Sequence, residues 1–248
     1  MNNRQQGRIG FVWPGGGAEH DFYRFLEETG DLARLYLTCT RVGGDGENDH
    51  DVDALHQTSR LDWLVEAALR LIPLRVDCVY WPCTSGSFIR GREHAEAQLK
   101  TLTETVGVPS GSTSLAFIEA LRLCNFTRVS VLSTYPKAAS EALKSFLGQF
   151  DVEVLSMNWL NAASGWDAAL FEPEFIIEHI PDTIHPDAEV LLIPDTAMPT
   201  LFAASDFEKA AGIPVFTANG VTMWNATNLA GLSVSDDRFG SLISGKWN

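Results

Sequence analysis

The chain has 248 residues, of which 45% are hydrophobic and 20% charged, and its formal net charge is -14. This balance is typical of a globular protein with a substantial core, and the acidic charge argues against binding to nucleic acid or to anionic membrane surfaces. The apolar runs have the length of strands, and Met1 to Arg8 lacks the apolar region of a signal peptide, so we expect a cytoplasmic protein.

Short apolar segments alternate with amphipathic segments along the whole chain. The predicted strands are 8–13, 33–40, 76–81, 128–133, 152–157, 189–193 and 213–216. The predicted helices are 18–28, 53–71, 92–106, 114–123, 137–149, 173–180, 200–211 and 221–229. This alternation predicts an α/β protein with a mostly parallel sheet. Residues 42–51, rich in Gly, Asp and Asn, predict an exposed loop, and loops of this kind near a strand end can cover a site.

Three landmarks recur in the same order in the two parts of the chain. Residues 8–14 resemble residues 128–136, and residues 76–85 resemble residues 188–197, with Pro-Cys-Thr facing Pro-Asp-Thr. Gly-Val-Pro at 107–109 likewise resembles Gly-Ile-Pro at 212–214. Three matches in order indicate two duplicated α/β halves. We place them at residues 1–125 and 126–248, with the C-terminal helix as a candidate to pack across to the first half.

The carboxyl ends of the strands are where an open parallel sheet binds its ligand. If the halves face each other across a pseudo-two-fold axis, Cys83 and Asp195 take equivalent positions on opposite walls of a cleft. A planar carbon between two such walls can be approached on either face. This geometry suits proton transfer, isomerisation or decarboxylation next to a carboxylate.

Cys83 is the candidate reactive residue. It follows a strand and precedes Thr84-Ser85-Gly86, which is typical of the start of a helix, where the helix dipole and nearby N–H groups lower the pKa of a thiol. We favour this role over that of a buried structural cysteine. Thr84 and Ser85 can bind a carboxylate, cap the helix, or do both. The four cysteines form no CxxC pair and have no His at metal spacing, so neither a disulfide framework nor a metal site is expected.

Two further candidates have alternative interpretations. Asp195 either caps the helix that begins near Thr200 or donates and accepts a proton opposite Cys83. Tyr135 is either a hydrogen-bond donor to the substrate or a packing residue. The glycines at 15–17 fit neither G-x-G-x-x-G nor a Walker pattern and indicate a tight backbone turn beside the ligand. No motif indicates a nicotinamide, flavin or pyridoxal cofactor, and no G-x-S-x-G elbow indicates a serine hydrolase.

Together these motifs resemble the aspartate/glutamate racemase superfamily. The resemblance rests on the duplicated halves, Cys-Thr-Ser at 83–85, Ser-Thr-Tyr-Pro at 133–136 and Gly-Ile-Pro-x-x-Thr-x-Asn at 212–219. Within the superfamily the chain is most similar to the branch of maleate cis–trans isomerase and arylmalonate decarboxylase, over about residues 8–232. The resemblance implies two flavodoxin-like halves with the active site between them, chemistry without a cofactor, and a homo-oligomer, either a dimer or a tetramer.

The resemblance also implies roles for individual residues. Cys83 matches the first of two facing cysteines, which adds to the double bond in the isomerases. Asp195 stands where racemases and maleate isomerases have a second cysteine, the one that the decarboxylase keeps. The candidate substrate-binding residues, taken from the family pattern and from the strand ends, are Pro14, Thr84, Ser85, Tyr135, Asn161 and Thr196.

The leading hypothesis is therefore a maleate-isomerase-like enzyme for a small carboxylate, with Cys83 as nucleophile and Asp195 as proton donor. One alternative is an amino-acid racemase or an arylmalonate-type decarboxylase that uses Cys83 as its single thiol. Another alternative, from a different class, is a carboxylate-binding protein that lost turnover together with the second cysteine.

Overall fold

The computed structural model describes residues Gln6 to Trp247. Within this part of the chain, no helix is both long and apolar enough to cross a membrane. The chain forms two four-stranded sheets, each fully parallel and each flanked by helices. Parallel sheets covered on both faces need apolar strands, and the buried central segments Cys78–Trp81 and Val190–Ile193 meet that need.

The first sheet has the strand order β2-β1-β3-β4. Its strands are β1 (Gly7–Trp13), β2 (Ala33–Cys39), β3 (Cys78–Trp81) and β4 (Ser110–Ser112). The helices of this part of the chain are α1 (Glu19–Glu28), α2 (Val52–Thr58), α3 (Leu61–Ala68), α4 (Thr84–Phe88), α5 (Arg92–Val106) and α6 (Thr113–Cys124), with a 3₁₀ segment at Leu69–Leu74.

The second sheet repeats this order as β6-β5-β7-β8. Its strands are β5 (Arg128–Ser133), β6 (Glu153–Trp159), β7 (Val190–Ile193) and β8 (Val215–Thr217). The helices that follow are α7 (Lys137–Gly148), α8 (Gly165–Ala168), α9 (Pro173–His179), α10 (Ala204–Ala211), α11 (Ala218–Leu229) and α12 (Gly240–Ser244), with 3₁₀ segments at Leu201–Ala203 and Asp237–Phe239.

The two sheets correspond strand for strand, which places β3 and β7 in equivalent positions. The helices α6 and α11, each beginning directly after the last strand of its sheet, pack against each other. At their contact the buried hydroxyls of Thr113 and Thr222 share a 2.7 Å hydrogen bond. The duplication expected from the sequence is therefore a duplication of topology, and the ends of β3 and β7 carry Cys83 and Asp195.

Some elements of the structure differ from the sequence prediction. The single helix predicted over 53–71 is wrong, because the chain forms α2, α3 and a 3₁₀ segment there. Arg60 is extended between the two helices, and the Ser59 hydroxyl donates to the His56 carbonyl at 2.9 Å, which ends the first of them. The strand β4 was not predicted, because Ser110-Gly111-Ser112 lacks apolar and β-branched residues; its pairing with β3 creates it.

Candidate active site

A cavity of about 420 Å³ opens at the carboxyl ends of β1, β3 and β7. Its walls come from both halves of the chain and from the loop between β2 and α2. The lining residues are Pro14, Gly15, Gly16, Val42, Gly43, Gly44, Gly46, Asp49, His50, Leu55, Thr58, Cys83, Ser85, Gly165, Trp166, Asp195, Thr196 and Ala197. The volume lies within the range typical of small-molecule sites, roughly 300–1,000 Å³.

The Cys83 thiol lies at the start of α4 and lines this cavity. Its sulfur accepts a hydrogen bond from the Gly86 N–H at 3.3 Å and lies 3.9 Å from the Ser85 hydroxyl. Burial nevertheless raises the pKa of Cys83 to about 12, against the lowering by those two donors, and the charge of Asp195 raises it further. The expectation of a lowered pKa is wrong for the free protein, because the residue is only 5% exposed and desolvation outweighs a helix of five residues.

Asp195 follows β7 and is 4% exposed. Its carboxylate accepts hydrogen bonds from the Thr134 hydroxyl at 2.7 Å and from the Ala197 N–H at 3.0 Å. The backbone of Asp195 has a φ of 109°, in the region that favours glycine, which is a strained conformation of the kind found at functional sites. Asp195 does not cap the helix near Thr200, because its bond to Ala197 closes a local turn.

The predicted binding residues fall into two groups. Pro14, Ser85 and Thr196 line the cavity. The Thr196 hydroxyl donates to the Pro82 carbonyl at 3.0 Å, so its proton is already engaged. Asn161 is exposed on the surface and is not among the residues that line the cavity, so the structure does not bring it to Cys83.

Thr84 and Tyr135 lie behind the cavity lining. The Thr84 hydroxyl accepts from the Asp195 N–H at 3.3 Å and so joins the two halves. The Tyr135 hydroxyl is buried and has no hydrogen-bond partner within residues 6–247, although it lies close to the side chains of Thr84 and Ser85. Burial raises the pKa of Tyr135 well above its usual value, so the hydroxyl keeps its proton and is free to donate it.

The glycine turn after β1 borders the cavity, as the sequence predicts. Gly15 and Gly16 line it with φ values of 97° and 95°, and Gly17 has no room for a side chain because a Cβ atom there would overlap Ala169. The backbone therefore passes close to the second half of the chain at this point.

His50 is the site residue that sequence reasoning missed. It ends the loop predicted as exposed, yet it is only 5% exposed and lines the cavity, with its Nε2 atom 3.7 Å from Oδ2 of Asp195. Most of the loop is exposed as predicted. The one sequence signal was a histidine at the end of a glycine-rich loop near a strand end, which is too weak to single it out.

Known proteins provide an independent comparison. A family model described as arylmalonate decarboxylase matches residues 49–243. The chain belongs to the arylmalonate decarboxylase family. The arylmalonate decarboxylase of Bordetella bronchiseptica is 25% identical to this chain, and the match covers 81% of this chain and 84% of that enzyme. The maleate isomerase of Alcaligenes faecalis is 23% identical, over 72% of this chain and 73% of its own. Both relatives are enzymes, in agreement with the prediction that this chain is an enzyme.

Solved structures of this family share the fold. A maleate isomerase variant of Pseudomonas putida with maleate has a TM-score of 0.86 and 19% identity, covering 98% of this chain and 99% of the other. A maleate cis-trans isomerase variant of Nocardia farcinica with a covalently bound succinylcysteine intermediate has a TM-score of 0.84 and 17% identity, covering 96% and 98%. The predicted fold is thereby confirmed, and the family model with the two sequence relatives confirms the predicted branch.

Proposed function

We propose that the protein is a cofactor-independent isomerase that converts a small cis-dicarboxylate of the maleate class into its trans isomer. The observation that carries the proposal is that Cys83 and Asp195, at the ends of the equivalent strands β3 and β7, line one cavity. A thiol from the first half and a carboxylate from the second, lining one cavity, provide a nucleophile and a proton-transfer group for the two carbons of a double bond.

The reaction follows from these two groups. Because burial keeps the Cys83 thiol protonated, a base must take its proton, and Asp195 is the carboxylate of the same cavity whose charge acts on the thiol. The sulfur then bonds to one alkene carbon, the π electrons move to the neighbouring carbon, and Asp195 returns the proton there. The resulting carbon–carbon bond is single and rotates. The rotation brings the other hydrogen of that carbon to Asp195. Loss of this hydrogen as a proton to Asp195 and departure of the sulfur, which regains a proton, give the trans product.

Substrate carboxylates need hydrogen-bond donors, because none of the described residues lining the cavity is Lys or Arg. The Ser85 hydroxyl at the cavity wall and the partnerless Tyr135 hydroxyl behind it are the side-chain donors we assign to this task. Pro14 and Thr196 complete the wall, and Thr84 supports Asp195 from behind. For Asn161 the assignment stays a sequence prediction.

A decarboxylase that uses Cys83 as its single thiol is the second candidate. One observation favours it: the cavity wall includes the apolar side chains of Val42, Leu55 and Trp166, which suits a substituent larger than hydrogen on the reacting carbon. In that reaction loss of carbon dioxide leaves a carbanion, and Cys83 supplies its proton.

One experiment separates the two candidates. The purified protein is incubated in deuterium oxide with maleate, substituted maleates or arylmalonates, and products are followed by NMR. We expect the trans diacid, no activity in Cys83→Ser, and a loss of about 10²- to 10⁴-fold in Asp195→Asn. Cys39→Ser, which removes an exposed cysteine, is the matched control and should keep full activity. Deuterated arylacetate without any trans diacid would favour the decarboxylase, and absence of both products would favour a binding protein.

Several expectations about the whole protein stay predictions. These are a cytoplasmic location, a homo-oligomer of two or four copies, and the absence of nucleic-acid and membrane partners. Sedimentation analysis of the purified protein tests the oligomeric state directly.

A further inference from the structure

The hydrogen-bond partner of one ring nitrogen of the buried His50 shows that this nitrogen carries a hydrogen. Its Nδ1 atom lies 2.9 Å from the carbonyl oxygen of Ala162. A carbonyl only accepts hydrogen bonds, so Nδ1 must carry a hydrogen and donate it. The backbone N–H of His50 donates to the next carbonyl, Ala163, at 3.0 Å, and the Tyr135 ring packs edge-on against the imidazole at 4.8 Å. The ring is therefore fixed in position.

The other ring nitrogen faces Asp195. The Nε2 atom lies 3.7 Å from Oδ2, the same oxygen that accepts the Thr134 hydroxyl. With Nδ1 protonated, a neutral ring would present a bare lone pair on Nε2 to that carboxylate, and two acceptors would face each other. Both carboxylate oxygens of Asp195 already accept a hydrogen bond, from the Thr134 hydroxyl and the Ala197 N–H, and a proton on Nε2 would turn the repulsion into an ion pair.

The surroundings of His50 are otherwise acidic or neutral. The titratable groups near the pair are Asp49 on the same loop, Asp167 in α8 beside Asp49, Tyr135 after β5, and Cys83 across the cavity. Among the described lining residues, His50 is the one side chain that can carry a positive charge at neutral pH.

We propose that His50 is a positioning residue that acts through Asp195: as an imidazolium it holds the carboxylate in place and offsets its charge. The pair then has no net charge when a dianionic substrate enters. Asp195 takes the Cys83 proton and passes it to carbon, while His50 keeps its own proton throughout, so the step remains balanced. His50 thus allows an aspartate to act as the proton-transfer group at the position where, by the sequence resemblance, racemases and maleate isomerases have a second cysteine. This role rests on the proposed function, but the protonation of the ring does not.

The ring protonation is tested without turnover by ¹⁵N NMR of the labelled protein. We expect both nitrogens of His50 to be protonated at neutral pH, and the Nε2 proton to be lost at that pH in Asp195→Asn. A bare Nε2 in the wild type at neutral pH overturns the proposal, whether or not the protein isomerises maleate. The signals that disappear in His50→Gln are those of His50, and His56→Gln, at a histidine in α2 outside the cavity lining, should leave them unchanged.

Kinetics test the positioning role. In His50→Gln we expect kcat to fall by about tenfold to hundredfold and the acidic limb of its pH profile to move, with an unchanged circular dichroism spectrum. Free imidazole should restore part of the activity of His50→Ala, whereas a purely structural role predicts no rescue. An unchanged pH profile in His50→Gln together with no rescue of His50→Ala contradicts the proposal. If wild-type turnover itself is missing, the proposed function fails, and the NMR result alone decides the state of His50.

Discussion

Cys83 lies where a helix start should favour a thiolate, and its sulfur does accept the Gly86 N–H. Enclosure by the protein is the stronger effect and raises the pKa of the thiol to about 12. The reactive form is therefore made only when a base removes the proton during the reaction. A reactive cysteine that is protected in this way reacts only slowly with chance electrophiles at neutral pH.

This raised pKa predicts slow alkylation. Between about pH 7 and pH 9 the rate of Cys83 modification by iodoacetamide should rise about tenfold per pH unit without reaching a plateau, because the thiolate fraction grows with each unit below the pKa. Peptide mass spectrometry measures the rate separately at Cys83 and at the exposed Cys39. A plateau for Cys83 near neutral pH would contradict the assignment of a buried, protonated thiol.

At the scale of the element, the loop between β2 and α2 determines where His50 lies. The N–H of Gly43 donates to the Thr58 hydroxyl in α2 at 2.8 Å, and Gly43 packs directly on that helix. A Cβ atom at Gly43 would overlap the carbonyl oxygen of Ala54 and the side chain of Gln57. The loop is exposed along most of its length but is anchored at both ends.

Gly43→Ala should therefore move the loop. We expect a loss of about 1–3 kcal/mol in unfolding free energy from overpacking, together with a lower kcat because His50 leaves its place beside Asp195. Urea unfolding and activity assays measure the two effects. Gly148→Ala is the control, since that position at the end of α7 has space for a methyl group and should leave both quantities nearly unchanged. Wild-type kcat in Gly43→Ala would show that the loop position does not matter.

A buried hydrogen-bond network also holds the segment that follows Asp195. The buried Asp21 in α1 accepts the Leu201 N–H and the Asn219 side-chain amide, both at 3.0 Å, and Asn219 also donates to the Met198 carbonyl at 2.9 Å. Asn219 is the last residue of the Gly-Ile-Pro-x-x-Thr-x-Asn motif, so the structure gives that motif a physical role. It ties α1 of the first half to the turn that carries Asp195.

Asp21 also predicts a pH dependence. Burial raises its pKa above 3.8, although the hydrogen bonds from Leu201 and Asn219 oppose the rise. The folded state thus binds the Asp21 proton more tightly than the unfolded state does. This protonation stabilises the fold below about pH 4, and the stabilisation is lost as the pH rises through the higher folded pKa. Asp21→Asn keeps an oxygen acceptor and does not titrate. As the pH rises through the folded pKa of Asp21, the unfolding free energy of Asp21→Asn should therefore increase relative to that of the wild type.

Urea unfolding at a series of pH values measures this difference. Asp21→Ala should instead lose about 1–3 kcal/mol for each of the two donors left unpaired. Asp53→Asn, at an exposed carboxylate, should show no such trend. A constant gap between Asp21→Asn and the wild type at all pH values would exclude the buried titration.

At the scale of the whole molecule, the two halves share polar contacts that are buried or partly buried. Thr113 pairs with Thr222, Thr84 accepts from the Asp195 N–H, and Asn225 donates to Glu119 at 2.5 Å. These contacts join helices and strand ends of one half to those of the other. The division between residues 125 and 126 separates the two copies of the duplicated topology. That it is also a boundary between two domains stays a prediction.

We expect the halves to unfold together. Fluorescence of the seven tryptophans, which are spread over both halves, and far-UV circular dichroism should give one coincident urea transition. Thr222→Ala should shift this whole transition to lower urea, because it leaves the Thr113 hydroxyl buried without its partner. Two separate transitions would show that the halves are independent domains.

Periodicity and motif order in the sequence were sufficient to predict the parallel α/β halves, the duplication, and the equivalent strand-end positions of Cys83 and Asp195. These features depend on local patterns and on a repeat, which a chain displays in its residue order. The break between α2 and α3 and the strand β4 were out of reach, because the first depends on side-chain bonds of Ser59 and the second on pairing with β3.

Only the tertiary structure decided the chemistry around those two residues. The sequence placed a thiol at a helix start and predicted a lowered pKa, whereas the folded chain buries Cys83 and raises it. The sequence showed a histidine in a polar loop, whereas folding brings His50 to Asp195 across 145 positions of chain, from 50 to 195. Solvation and long-range proximity are properties of the packed molecule, and no local pattern of residues contains them.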